Sequence, residues 1–371
     1  MIIHINKSLV KAFPIQITDP VYEGKDSLTA YDQFLMRFIK DQRDLPFLHL
    51  MTSIHLTVVP LAILLYLPIL SGFWWWAVAI PYFYISQFYF KGSFGLMLHC
   101  FCHRSMWKSE WQWLQKYILW FLCPLFGHLG ESYNSHHIGM HHIEGNMPED
   151  SSSTMGYQRD SIRDFIKYWL NFMALGFHDT FQFLFKRNLK KFYIPLTYSE
   201  ILFYVFAIGM CFVNFKATLV VFVVPFLFAR LVMMIGNWTQ HAFVDPLEPK
   251  DELASTVICM NTVYNHKCWN DGYHAFHHLK PAAHYTEYPS MLEKYRDQLV
   301  LKKTFVFEGI HYMHLFKWLM LRDYDKLADH LVNIDNAFKN KKEMIALLKA
   351  RVKKFDNFEP VKAGQQELAV N

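Results

Sequence analysis

Hydrophobic positions in this chain fall in long unbroken blocks. From Leu45 to Phe90 no Asp, Glu, Lys or Arg interrupts the sequence. As one helix the block would run roughly 69 Å at ~1.5 Å per residue, more than twice the ~30 Å of a hydrocarbon core. It therefore predicts two spans, near 46–70 and 73–90, with Pro68-Ile-Leu-Ser-Gly72 supplying the turn. The second span is expected to continue as helix through 95–107. A second hairpin is predicted from the charge-free stretches 201–215 and 217–229, with spans extending beyond them on both sides. Glu200 and Arg230 lie equally far from Phe215 along the chain. They should sit at similar depth and face each other, because an unpaired charge at depth is costly.

Shorter apolar stretches give different elements. Tyr117–Gly130 is broken by Pro124 and Gly127, and its length fits an interfacial or re-entrant segment. A full crossing there would split the chemistry described below across the membrane. Tyr168–Phe177 is predicted as a helix in the interface. Thr29–Lys40 has helical spacing of Tyr31, Phe34, Leu35 and Phe38. Asp323–Phe358 is helical in pattern and rich in Lys, including Lys339, Lys341, Lys342, Lys353 and Lys354. It reads as a solvated face, or as a docking surface for lipid headgroups or an acidic redox partner.

Four spans put both termini on one side. The two turns between spans carry a single cation, Lys216, so the positive-inside rule places the termini and the long middle segment in the cytosol. The expected fold class is all-α, a four-span transmembrane helical bundle with a cytosolic helical cap. Its parts are an N-terminal segment 1–44, a membrane domain 45–290 and a helical C-terminal segment 291–371. Trp74, Trp75 and Trp76 are expected to anchor the far interface.

Composition agrees with an integral membrane protein. Of 371 residues 53% are hydrophobic and only 19% charged. The net charge of +5 suits a protein lying against anionic lipid better than a nucleic-acid binder. Residues 1–44 show no apolar core with a cleavage site, so the first span is expected to direct insertion. Six cysteines form no CxxC pair and read as reduced thiols.

Histidine supplies the chemistry. Ten of 20 histidines fall in four windows: His99-Cys-Phe-Cys-His103, His136-His137-Ile-Gly-Met-His141-His142, Asn237-Trp-Thr-Gln-His241 and His274-Ala-Phe-His277-His278. Residues three or four apart share a helix face. His99 with His103, His137 with His141, Asn237 with His241, and His274 with His277 and His278 can each aim at a common point. Each window follows or abuts a span on the same side. Imidazole suits Fe, Zn, Cu and Ni, and so many histidines exceed the needs of one metal. His136 is expected to point away from the His137 face and to act behind the ligands. His128, His178, His266 and His284 lack the spacing.

As a set, HxxxH, the double-histidine second window, NxxxH and HxxHH resemble the integral-membrane fatty-acid desaturase and hydroxylase superfamily over roughly 45–290. The resemblance implies two iron ions, dioxygen as co-substrate, and a lipid acyl chain or hydrocarbon as substrate. The implied ligands are His99, His103, His137, His141, His142, His241, His274, His277 and His278, with Asn237 joining through water. A departure stands in the second window, where three residues rather than two separate His137 from the His141–His142 pair. That form, with Met147-Pro-Glu-Asp150 after it, is more similar to the alkane-hydroxylase branch. Desaturation and hydroxylation both stay open. A fused haem domain with an HPGG motif is absent, so the electron donor is expected to be separate, a ferredoxin or cytochrome b5-type protein. A membrane zinc hydrolase would carry HExxH, which does not occur, and a haem electron carrier would place isolated histidines within the spans.

Overall fold

The computed structural model describes residues 16–355, apart from 23, 25 and 26. Most of the polar approach before residue 16, and the last residues of the expected tail helix, lie outside them.

The chain enters through α1 (Ala30–Leu35), whose start is fixed by a reciprocal Thr29–Asp32 capping box. This helix stops short of the expected Lys40. The backbone there pairs instead with the segment after the first histidine window, Lys40 N donating to Met106 O and Lys108 N to Phe38 O. Helix α2 (Leu45–Tyr66) begins with Pro46, whose missing N–H costs nothing in a first turn. It turns into α3 (Gly72–Tyr84), which runs through a π-helical turn, Ile85–Phe90, into α4 (Lys91–His103). The helix ends at His103, earlier than Trp107. The indole of Trp75 donates to Leu65 O and ties the two antiparallel helices together at the turn.

The apolar stretch before the second histidine window doubles back on itself. It is helical as α5 (Trp113–Tyr117), a π turn and α6 (Cys123–Leu125), reverses at Gly127, and returns as α7 (Gly130–His136). A π turn, His137–His141, leads into α8 (His142–Glu144). The amphipathic helix α9 (Ile162–Lys186) is longer than the expected interfacial helix and exposes Leu170, Leu175 and Phe177 along one side. Helices α10 (Lys190–Thr218) and α11 (Val224–Gln240) follow, joined through a π turn.

Two helical stretches are long and apolar enough to cross a membrane, Gln42–Tyr66 and Lys190–Gln240. The second is not straight. Asn214 leaves helical geometry, at φ −157° and ψ 99°, and its side chain caps the returning helix by accepting from Ala217 N. Pairs across this bend match an antiparallel hairpin. Arg230 donates to Glu200 at 3.2 Å, Phe203 stacks on Phe226, and Phe206 meets Phe222 edge-on. The expected Glu200–Arg230 pairing is therefore present.

Both turns lie at one end of the molecule. Tyr66 and Thr218 share a hydrogen bond of 2.9 Å, and the Lys216 ammonium sits 4.0 Å above the Trp75 ring. Trp75 is thus buried rather than an interfacial anchor, while Trp74 and Trp76 are exposed. The histidine ends of α4 and α11 lie at the opposite end.

A helical cap covers that end: α12 (Glu252–Ser255), α13 (Val263–Lys267), α14 (His274–Leu279), α15 (Tyr288–Lys294), α16 (Arg296–Leu301), α17 (Tyr312–Met320), α18 (Tyr324–Asp329) and α19 (Lys341–Arg351). The all-α expectation needs one small amendment, because β1 (Ile258–Met260) pairs in parallel with β2 (Val306–Glu308). The pairing locks the C-terminal segment onto the chain between the third and fourth windows. A separate apolar core with Phe243, Phe305, Phe307, Leu327 and Leu348 holds the cap together. The lysine-rich tail is broken into two helices. Lys341 pairs with Asp325 and Asp329 rather than standing in an open basic face.

Candidate metal centre

The four windows converge although they lie far apart in sequence. The re-entrant path of α5 to α7 returns the second window to the end of α4, so His103 and His137 meet with Nε2 atoms 2.9 Å apart. The nine expected ligands form two adjoining groups, His99, His103, His137, His142 and His277 in one, and His141, His241, His274 and His278 in the other. Within each group one ligand atom per residue lies within 4.8 Å of all the others.

The internal distances suit metal binding. Two imidazole nitrogens bound at right angles to one metal, ~2.1 Å from it, stand about 3.0 Å apart. Here His99 and His277 present Nε2 atoms at 2.8 Å, His142 and His277 at 3.0 Å, and His137 and His142 at 3.1 Å. Hydrogen bonding between imidazoles does not account for this ring. Each ring nitrogen has one proton or one lone pair, yet Nε2 of His137, His142 and His277 each has two such neighbours. In the second group His274 and His278 stand 3.1 Å apart, and His241 Nε2 is buried without a hydrogen-bond partner. The residues present therefore fit two metal ions held by nitrogen.

Carboxylates and a phenol orient the rings from behind. His141 Nδ1 donates to Asp150 at 2.6 Å, and His277 Nδ1 lies 3.2 Å from the Tyr288 hydroxyl. Asp271 stands 3.4 Å from His99 Nδ1 and Glu252 3.4 Å from His278 Nδ1. Such partners fix the tautomer so that the other nitrogen faces the metal. Burial alone would raise the Asp150 carboxyl, but the charge of His141 and contacts with His136 and His141 outweigh it and hold the carboxyl well below its ordinary range. His136 lies outside both groups, 3.5 Å from Asp150. Asp271, Glu252 and Tyr288 carry no spacing signal and were not legible in the sequence; Asp150 was visible only as the end of a motif.

Two expectations about shared faces change. His137 and His141 do not aim at one point, nor do His277 and His278. The π turn is the reason in the second window. Its wider turn holds one residue more than an α turn, so His137 meets His142, five residues on, and His141 swings into the other group. The extra residue that distinguishes this window is thus absorbed by the backbone. In the fourth window His274 and His278, four apart, share a group, while His277 turns to the first. Deleting Ile138 is expected to close the π turn to α geometry and leave the metal content of the purified protein unchanged. A loss of metal would show that the π turn itself is required.

Asn237 lines a cavity of about 440 Å³ that begins at His99, His137, His141 and His274. Its amide nitrogen donates to Ser152 O and to the Tyr168 hydroxyl. Three of the other nearby histidines make local contacts. His284 bridges Thr286 and Asp44, His178 bonds Gln182, and His128 packs against Gly95. All six cysteines are free.

Several of these rings are held neutral, which ligation requires. Burial first, and then repulsion among the imidazoles, pushes His103 down to about 3 and holds His137, His142, His274 and His277 well below the ordinary value. Folded imidazoles thus stay unprotonated where unfolded ones, titrating near ~6.5, take up protons. Metal-free protein should lose stability as the pH falls through that value, because the unfolded chain binds more protons. The thermal unfolding midpoint is expected to be lower at about pH 5.5 than at about pH 7.5; the opposite order would mean that the rings are charged and paired in the fold.

The fatty acid desaturase family profile matches residues 73–309, a span that contains every histidine of both groups. The chain belongs to the fatty acid desaturase family. This desaturase-family protein has no match among curated relatives or solved structures. Membership makes it an oxidoreductase of fatty-acid metabolism.

Proposed function

We propose that this chain is a membrane fatty-acid desaturase that uses a di-iron centre and dioxygen to introduce a double bond into a lipid acyl chain. The observation that carries the reading is the pair of adjoining imidazole groups opening onto an apolar cavity. His99, His103, His137, His142 and His277 would hold one iron. His141, His241, His274 and His278, with Asn237 through water, would hold the other, and His136 supports His141 by way of Asp150. The iron pair supplies oxygen activation strong enough to take hydrogen from an unactivated methylene. The protein's part is positional: the cavity walls hold one stretch of chain beside the histidines and exclude water.

We assign four spans, α2, α3 with the start of α4, and the two arms of the α10–α11 hairpin. The two turns, with Trp74, Trp76 and Lys216, lie at the far face. The histidines, the cap and both termini lie in the cytosol, where a separate ferredoxin or cytochrome b5-type donor would deliver electrons. Residues 45–290 form the membrane domain, flanked by 1–44 and 291–371. One ion of a zinc hydrolase would leave half of the histidines without a role, and a haem carrier would not need both groups at one end.

The test is expression in a host of defined lipids with a co-expressed electron donor, followed by mass spectrometry of fatty acids and metal analysis. The expected product lacks two hydrogen atoms, and the protein contains iron. A product gaining one oxygen atom would replace desaturation by hydroxylation, the alternative that the second window's spacing raised. Zinc in place of iron, or unchanged lipids with iron-loaded protein and each donor, would overturn the reading.

A further inference from the structure

The cavity beside the histidines has a cation in its wall. It runs between α4 and α11, past Gly92, Gly95, Leu96, Val232, Met233 and Gly236, and its other end is formed by Gln87, Phe88, Lys91 and Phe228. Phe88 and Gly92 are exposed on the outside of the bundle, so this end faces the lipid. Lys91 is only 6% exposed. Its ammonium donates to Phe126 O at 2.6 Å and to Gln87 Oε1 at 3.0 Å, which uses two of its three N–H groups. Among the described residues no carboxylate lies within ion-pair distance of it.

Other buried cations are compensated. Arg230 has Glu200, and Arg351 has Asp245. Arg159 has no such contact, but its guanidinium is saturated by the carbonyls of Thr154, Ala242, Arg351 and Lys353 and does not line the cavity beside the histidines. Among the described buried cations Lys91 combines a spare N–H, a missing counter-charge and a cavity wall; the Phe228 ring, 5.5 Å from its ammonium, is a neutral contact. A buried charge left in that condition is costly, and a neutral donor would tie the Phe126 carbonyl equally well.

Depth favours a lipid head. Lys91 follows the far-side turn at Gly72 by about 28 Å of helix at ~1.5 Å per residue, against ~30 Å for the hydrocarbon core. It therefore stands at the level where headgroups begin, and His99 lies about 12 Å further along the same helix. We propose that Lys91, steadied by Gln87, binds the carboxylate of a free long-chain fatty acid whose chain then extends along the α4–α11 cavity to the histidines. This names the substrate class for the acyl-chain reading and rests on it. The distance from head to metal site is then set by the protein, so the carbon attacked is counted from the carboxyl end.

Equilibrium binding to the purified, metal-loaded protein in neutral detergent tests the proposal without turnover. The probes are palmitic acid, methyl palmitate and dipalmitoyl phosphatidic acid. Lys91→Met is expected to weaken palmitic acid at least about tenfold, the scale of a charge-assisted contact, with methyl palmitate unchanged and Lys91→Arg retaining affinity. Gln87→Glu gives the ammonium an internal counter-charge and keeps the side-chain shape. It should weaken palmitic acid in the same way, and it stands in should Lys91→Met not fold. Equal loss for acid and ester would reduce Lys91 to a structural tie and overturn the proposal. So would an unchanged palmitic acid affinity, or a loss confined to phosphatidic acid, which would assign the site to a lipid phosphate. In the active enzyme, the modified carbon should keep its number from the carboxyl end as chain length rises; a constant count from the methyl end would overturn the orientation. The binding arm reads the same whether the product is an alkene or an alcohol, so its failure is separable from failure of the desaturase reading.

Discussion

His277→Ala is expected to cut the metal content from about two ions per chain to about one and to abolish turnover, while the chain stays folded. His277 faces both His99, at 2.8 Å, and His142, at 3.0 Å, and so closes the ring of the five-histidine group. No other nitrogen among the described residues stands at that position. The four-histidine group shares none of its ligand atoms and should keep its ion. Turnover should fall at least about 100-fold, beyond the 10–100-fold typical of residues that only orient a ligand. Metal analysis and unfolding curves on the same preparation check it. Full activity with one ion would mean that the five-histidine group is not part of the reaction, and loss of both ions would mean that the two groups bind as a single unit.

The largest effect on folding is expected from Gly127→Ala. Gly127 has φ +72°, and a Cβ there would stand 2.0 Å from the Pro225 carbonyl oxygen and 2.6 Å from Phe226 N. Those are backbone atoms near the start of α11, which cannot swing aside as a side chain does. Left-handed strain and overpacking together should cost on the order of 3 kcal/mol. The consequence reaches the metal centre, because Gly127 is the point where the re-entrant segment turns back. Displacing it moves α7, and with it His137, His141 and His142. The unfolding midpoint in detergent and the metal content should fall together. Gly209→Ala is the control, since a Cβ there meets nothing within 4 Å and should leave both unchanged.

Much of the scaffold was readable from pattern alone. The 45–90 block gave a hairpin because no single helix of that length fits a bilayer, and the structure turns where Pro68 and Gly72 stand. The Glu200–Arg230 pair followed from equal spacing about Phe215. Pattern failed where tertiary partners compete with local preference. Helix α1 ends early because residues 38–40 pair with 106–108, and Trp75 turns inward because Leu65 O and Lys216 are there to receive it.

The site divides in the same way. Helical spacing and the ends of spans, which are local properties, picked out eight of the nine histidines that gather, and the family resemblance added His142. The sequence also marked His136 as the one left out. Only the tertiary structure decided that the nine split into five and four, that His141 and His142 part company, and that Asp150, Asp271, Glu252 and Tyr288 stand behind the rings. Ring direction depends on turn type and on contacts from other elements. A π turn and a linear spacing look the same in sequence, and Glu252 reaches His278 by way of the cap. The cavity wall with Lys91 was invisible for the same reason: a lysine at the end of a predicted span reads as an anchor until the helices beside it enclose it.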